Sequence, residues 1–410
     1  MSETIKFEKK LPIKAKYDII VCGGGVAGVA AAVSAAKRGC SVLLIEKSCI
    51  LGGLATLGLI NTFVPMCNGR GKQIIFGLAE KWLREGAKYG CDKIPEEWEN
   101  GEPKEPTNVR YIQRYSPYIF ALQLTEELQS SGADLLFDCV ACEPVMEGKI
   151  CRGVITQSKA GLEYYSCRML IDVTGDCDIL RRAGVPTVVG ESFSTYVGQM
   201  ISLESCAKAL EEKDISKALG KIAGGEINYF EEDHQTDISM RLGLSTEKIS
   251  NYLIRNQIEI LEKLQSSDRF ERDVVRLPMM PQIRTTSHLL GDYTFSEQDA
   301  YKHFEDSVCA INHFGRRGVL FEVPLRALCR GDYPNILTAG RSASAAGYGW
   351  DILRVIPPAI LTGQAAGEAA YLALHSSTGI SGINIKKLQT NLERENVMVH
   401  FPDDYISSED

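Results

Sequence analysis

Between Tyr17 and Lys47 the chain reads YDIIVCGGGVAGVAAAVSAAKRGCSVLLIEK, with no charged side chain from Ile19 to Ala36. Three patterns follow one another inside this apolar block. DIIVCG is a short β-branched run bounded by glycine, the pattern of a buried parallel strand. VAGVAAAVSAAKRG is alanine-rich, carries Lys37 and Arg38 in its last turn and stops at Gly39, the signals of a helix end. SVLLIEK is a second buried strand. The pattern predicts a strand–helix–strand unit, not a membrane span.

Further along, residues 169–173 and 335–339 read as buried strands, and DLLFDCVACEPVME as another. LSTEKISNYLIRNQIEILEKLQSSD is an amphipathic helix with Ser245 or Thr246 as N-cap. Its stripe of Ile249, Leu253, Ile260 and Leu264 is read as core in preference to a partner face. A helix opening at Pro357 or Pro358 sets Gly363, Ala366, Gly367 and Ala370 on one face, small enough to lie close against sheet or cofactor. Residues 63–117 are rich in Pro, Glu and Asn and read as a surface excursion, with a lid as one use. Residues 186–331 lose the strand–helix alternation. These patterns predict an α/β fold with a parallel sheet: a Rossmann-like domain from 15–185 and 330–375, interleaved with a smaller α+β substrate or cap domain at 186–329, and a C-terminal extension at 376–410.

Chemistry enters with the glycines. Gly23, Gly25 and Gly28 form G-x-G-x-x-G between the first strand and the helix. The first permits the tight turn, the second lets backbone reach a pyrophosphate, and the third lets helix pack on strand. The helix N-terminus at Val26 and Ala27 then offers free N–H groups and a dipole to the anion. Glu46, followed by Lys47, ends the second strand 18 residues after Gly28, where a carboxylate accepts a ribose 2′-OH and repels a 2′-phosphate. This is a dinucleotide site.

At 410 residues the chain has room for two domains. A net charge of -8 leaves no basic footprint for nucleic acid or an anionic membrane. Thirteen cysteines, an odd number, favour reduced thiols in a cytoplasm over a disulfide framework. The mixed-charge start MSETIKFEKKLPIKAKYD does not read as a signal peptide. The expectation is a cytoplasmic protein without nucleic-acid or membrane partners; a homo-oligomer is left open.

Three stretches resemble the FAD-dependent oxidoreductases of the glutathione-reductase-like flavin fold, related to fumarate-reductase-type flavoproteins. They are KSCILGGLATLG, CRMLIDVTGDCDILRRAGVP and NILTAGRSASAAGYGWDILRVIPPAILTGQAAGEAAYLAL. With the glycine motif, the resemblance spans 17–62, 118–185 and 330–375. It implies FAD as cofactor. Gly52, Gly53 and Thr56 would lie along the flavin pyrophosphate and ribityl chain, and Val140 joins the implied cofactor contacts. Thr174, Gly175 and Asp176 would form the strand end that passes the nucleotide, although Asp176 and Asp178 also suit capping of the next helix. Gly340 and Arg341 would meet the flavin, Arg354 would fix the loop before the final helix, and that helix, opening at Ile356, would point its dipole at the ring. Only one G-x-G-x-x-G is present, so no second dinucleotide domain is expected.

LPMMPQIRTTSHLLGDYTFSEQD resembles the family's substrate-domain motif, with Arg284, Gly291, Tyr293 and Asp299 in place. Arg284 is the candidate for bidentate binding of a carboxylate, and His288 for accepting a proton. A surface ion pair and a satisfied polar histidine are their alternatives. His313, in the lead-in to the last flavin strand, is the first choice of general base. Tyr348, Trp350 and Asp351 suggest an aromatic wall at the substrate site. Cys139 and Cys142 spell C-x-x-C but fall in a strand, so a redox dithiol is not expected, and no Cys/His spacing supports a metal. The reading is hydride transfer between a small polar metabolite and flavin N5, as a dehydrogenase with an external, unidentified electron acceptor. Reduction of an activated double bond by electrons from a partner is the alternative, followed by a flavin monooxygenase. A flavin-free binding protein is the non-enzyme alternative.

Overall fold

The computed structural model describes residues 5–90, 92–190, 194–225 and 243–406. The predicted unit is present as β1 (Ile13–Cys22), α1 (Val26–Lys37) and β2 (Val42–Ile45), with β1 and β2 parallel from Ile19↔Val42 to Cys22↔Ile45. Asp134–Leu136 extends the sheet beyond β2, reached through the helix Pro117–Ser131. On the other side of β1 lies the long strand Gly161–Asp172, whose last three residues carry Ile336–Thr338 as the fifth parallel strand. Its first half pairs instead with an antiparallel meander, Ile150–Ser158 and then Val140–Glu147. Helices bury one face of β2 and the end of β1, and the meander with the short helix Asp178–Arg182 buries the other, which is why those strands are apolar throughout and not alternating.

All of α1 but Lys37 is buried, and every residue of the final helix (Ile356–Leu374) from Ile356 to Ala370 is buried too. The two helices meet backbone to backbone. A Cβ on Gly363 would collide with the Ala27 carbonyl oxygen, and one on Gly367 with that of Ala31. The small-residue face was expected against sheet or cofactor; it lies against α1, because the i, i+4 glycines match the i, i+4 carbonyls of the facing helix. Arg38 locks the far ends together, its Nε 2.7 Å from the buried Glu368 carboxylate.

Two expectations need correction. Residues 63–117 are not a surface excursion: Phe63, Trp82, Trp98, Tyr111 and Tyr115 are each no more than 2% exposed and belong to the main core. Trp98 stacks on Tyr111 at 5.2 Å while neighbouring charges stay outside, so composition hid an inward face. Residues 376–406 are likewise integral. Val397, Val399 and Phe401 are buried, and Ala310 N donates to Met398 O (2.6 Å) beside the hairpin of Ser307–Asn312 and Leu320–Pro324.

Within 186–329 a separate small sheet with its own core forms, over a shorter span than that. Val197–Ser202 sits between Gly220–Ala223 and Arg272–Arg276 in an antiparallel sheet covered by the helix Thr246–Gln265, N-capped by Ser245. Its own core is Tyr196, Ile222, Tyr252, Ile260 and Ile283, with Ile249, Leu253 and Leu264 packed on it. Val308, Ile311, Phe321 and Val323 belong to the main core instead. No helix among the described residues is long and apolar enough to cross a membrane.

The interhelical contact gives a direct test. Gly363→Ala and Gly367→Ala should each lower stability by about 1–3 kcal/mol through overpacking, read from the denaturant midpoint. An unchanged midpoint in both would mean the helices are not in backbone contact.

Candidate functional site

A cavity of about 490 Å³ opens at the carboxyl ends of the parallel strands, the place where open α/β sheets hold ligands. Its floor is the glycine loop. Gly23 adopts φ +109, and a Cβ there would stand 2.6 Å from the Val173 carbonyl; a Cβ on Gly28 would strike the Gly23 carbonyl. Gly25 differs, since a Cβ there would meet no atom within 4 Å. The open space lies in front of α1, whose first turn has neither a side-chain cap nor an acidic residue. Unsatisfied N–H groups facing a void of this kind suit an anion, so a diphosphate fits the residues present.

Val26 and Ala27 line the same wall, and Gly28 lies beneath it. Glu46 is buried at the edge, with Oε2 accepting from Gly24 N (2.6 Å) and Oε1 from Ser48 N (2.8 Å). Each oxygen keeps a lone pair for a hydroxyl. Lys47, Ser48 and Cys49 continue the wall, and Val140 closes it between Cys139 and Ala141. Burial pushes both thiols of Cys139 and Cys142 up, the reverse of a reactive dithiol.

Gly52 and Gly53 line the cavity, and Gly52 N donates to Gly24 O (2.8 Å). Thr56 does not: it is fully buried, and its hydroxyl donates to Leu51 O (2.7 Å), which shapes the loop from behind. Thr174 and Gly175 face the cavity. Asp176 is turned away to an ion pair with Arg341 (3.1 Å) and a hydrogen bond from Thr286. The capping expected of Asp176 or Asp178 is performed by Asp172, which the sequence reading missed. Its Oδ2 accepts from Ile179 N and Leu180 N (2.9 and 2.8 Å), and its Oδ1 from Thr174 N (3.0 Å). Desolvation at this fully buried site still raises its pKa against those bonds. As the last residue of the strand it reads as plain sheet, so the sequence carried no cap signal.

At the other end, Gly340, Arg341, Arg354, Ile356 and Ala359 complete the wall. Arg341 donates from Nη1 to Ile283 O (2.7 Å) and so ties the cavity to the cap. Arg354 is held by Asp351 through Nε (2.8 Å), with burial drawing its pKa down. Both Pro357 and Pro358 sit in the first turn of the final helix, which has no side-chain cap and no acid there. Two uncapped helix N-termini thus open on one cavity. Leu54, Ala55, Leu57, Met279 and Met280 add apolar lining that sequence reasoning passed over; Met279 N donates to Leu57 O (3.0 Å), joining cap to loop.

None of the candidates for catalysis, His313, His288, Arg284 and Tyr348, lines this cavity. His313 is buried, and its Nδ1 accepts from Gly315 N (2.9 Å) and Arg316 N (2.8 Å). The proton therefore resides on Nε2, which has no partner among the described residues. Burial, reinforced by Arg110, lowers its pKa to about 4. With its acceptor nitrogen engaged, His313 is placed as a neutral donor and not as a base. Tyr348 stacks on it with ring centroids 5.2 Å apart. His288 is the satisfied polar alternative: Nδ1 bonds Leu289 O (2.7 Å), the ring packs edge-on against Trp350, and burial lowers its pKa. Trp350 is itself buried, its Nε1 donating to Arg341 O (2.8 Å), so the aromatic wall reduces to the part-exposed Tyr348. Arg284 stands in the cap, with Nη1 3.2 Å from Thr195 Oγ1. Tyr293 and Asp299 bond each other at 2.5 Å, and the motif they share folds a corner of the chain.

A family model described as FAD dependent oxidoreductase matches residues 18–269 and 245–392. A digeranylgeranylglycerophospholipid reductase of Methanoculleus marisnigri is 28% identical over 187 residues, 43% of this chain and 43% of that protein. A second reductase of that name, from Methanothermobacter thermautotrophicus, is 29% identical over 181 residues, 42% of this chain and 43% of its own. The match thus spans less than half the length of these curated relatives. Among solved structures, a geranylgeranyl bacteriochlorophyll reductase-like protein of Thermoplasma acidophilum covers 93% of this chain and 84% of its own, at 14% identity and TM-score 0.50. A p-nitrophenol 4-monooxygenase of Pseudomonas putida covers 92% of this chain and 84% of its own, at 13% identity and TM-score 0.50. At such identities the two structures show a shared fold. With the family model spanning most of its length and a cavity shaped for a dinucleotide, the chain belongs to the FAD-dependent oxidoreductases.

Proposed function

We propose that this FAD-dependent oxidoreductase reduces a carbon–carbon double bond in a largely apolar substrate. The observation that carries the reading is the lining near the final helix. Leu57, Met279 and Met280 supply an apolar wall where cap and glycine loop meet, and the two guanidinium groups nearby are each engaged by a carboxylate, Arg341 by Asp176 and Arg354 by Asp351. An oxygen-rich metabolite, the preference from sequence, finds less to bind there than a hydrocarbon does. The reductase names of the curated relatives support the same direction.

Bound FAD, once reduced by two electrons from an external partner, would supply the hydride, and a proton would complete the reduction. Val26, Ala27 and the backbone around Gly25 would hold its diphosphate, Glu46 would accept from its ribose, and Gly340 and Ile356 would border its ring. The N–H groups at the start of the final helix favour negative charge beside them. His313 Nε2–H is buried outside the cavity and has no acceptor among the described residues. It is stacked on Tyr348, the first residue of the short helix Tyr348–Arg354, and the last residue of that helix lines the cavity.

In an anaerobic stopped-flow trace, dithionite-reduced enzyme should be reoxidised by allylic, isoprenoid-like alkenes. The oxidised enzyme should be bleached poorly by small hydroxy or amino acids. Bleaching by the polar compounds with no response to alkenes would reinstate the dehydrogenase. Gly25→Val should fold normally, because its Cβ enters open space, yet bind FAD roughly a hundredfold more weakly by blocking the diphosphate; equal flavin content would argue against this cradle. His313 titrates at about 4 in the folded chain, against 6.5 for an unperturbed imidazole. The unfolded chain therefore binds a proton first as pH falls, and stability drops between those values. His313→Asn keeps an acceptor for the two N–H groups but cannot protonate, so its thermal midpoint should fall less than wild type across that window.

A further inference from the structure

Away from the cavity, three side chains from separate segments converge. His303 follows a turn after residues 297–299, Glu322 sits in the strand Leu320–Pro324, and His400 lies in the C-terminal segment; one nitrogen or oxygen from each falls within 4.8 Å of the others. Glu322 is wholly buried. Its Oε1 is 2.6 Å from His303 Nδ1, while Oε2 is 3.0 Å from His400 Nδ1 and accepts from Phe304 N (2.8 Å).

The far nitrogen of each ring is also held. His303 Nε2 is 2.9 Å from the exposed Asp403 carboxylate, and His400 Nε2 is 3.3 Å from the Gln389 amide. Phe401 packs on the His303 ring at 4.4 Å. A carboxylate behind the ring fixes orientation and tautomer in metal-binding histidines, leaving the near nitrogen free of a proton for the ion, and Asp403 stands in that place behind His303. Both rings turn the same nitrogen, Nδ1, to one carboxylate. A buried carboxylate needs a cation beside it. The two histidines are 42% and 38% exposed, which leaves a solvent side for a water ligand.

We propose that His303, Glu322 and His400 bind one zinc-class divalent ion. Two imidazoles and a carboxylate suit zinc or cobalt, whereas calcium and magnesium call for oxygen ligands. None of the three lines the cavity. The ion would be structural, pinning the C-terminal segment to the hairpin and the turn at His303. Nothing in the spacing of these residues along the chain announces the site, which is why the sequence reading expected no metal. The competing arrangement is a proton: an imidazolium at His303 bridging Glu322 and Asp403.

The test uses full-length, FAD-loaded protein stripped with a chelator and titrated with Zn²⁺, followed by desalting and metal analysis. We expect one zinc per chain and a thermal midpoint that rises with Zn²⁺. In the double variant His303→Ala/His400→Ala, affinity should fall at least about tenfold and the rise should vanish, with flavin content unchanged. Co²⁺ loaded in its place should show d–d bands without thiolate charge transfer, separating this site from the cysteines. Wild type retaining under a tenth of an equivalent overturns the proposal in favour of the proton. Unchanged stoichiometry in the double variant, or thiolate bands, overturns it too. The wild-type stoichiometry and cobalt spectrum decide the matter even if the double variant does not fold.

Discussion

The structure depends on how closely α1 and the final helix approach. Gly363 and Gly367 leave no side chain between the final helix and the carbonyls of Ala27 and Ala31. The contact joins helices separated by more than 300 residues of chain, and it fixes where both of them begin. Because α1 starts at the glycine loop and the final helix starts at Ile356, that single contact aims two uncapped N-termini at one cavity. A cofactor with a diphosphate at one end and a ring that takes on negative charge at the other is the ligand such a pair of dipoles serves.

Much of this was legible in the sequence where backbone geometry dictates residue type. Gly23 and Gly28 are required because a side chain at either would strike backbone, and Glu46 ends a strand where its carboxylate reaches Gly24 N. The small face of the final helix was equally readable, but its partner was not, since pattern shows that a surface is small without showing what lies on it. The errors have related causes. Residues 63–117 look polar by composition, yet Trp82, Trp98, Tyr111 and Tyr115 bury themselves by tertiary packing that composition does not encode. Asp172 reads as strand because its capping partners, Ile179 N and Leu180 N, lie beyond a turn through Cys177 at φ +54.

Catalytic side chains were the least legible part. A histidine near the right motif suggests a base, but the ring's role is set by which nitrogen its surroundings occupy. For His313 two backbone N–H groups take Nδ1, and the turn that supplies them is a matter of three-dimensional structure. The same holds for Trp350, which is buried and donates its Nε1 to Arg341 O. The cap joins the nucleotide domain through Arg341 and through Met279 against Leu57. Substrate contacts should therefore be sought along that seam.

A crystal structure of the protein with FAD bound is the measurement that bears most directly on this account. It should show the diphosphate against the backbone of Gly25, Val26 and Ala27, the adenosine ribose at Glu46, and the isoalloxazine ending beside Ile356 and Ala359. FAD bound elsewhere, or a ring that stops short of the final helix with the two N-termini facing different ligands, would contradict it.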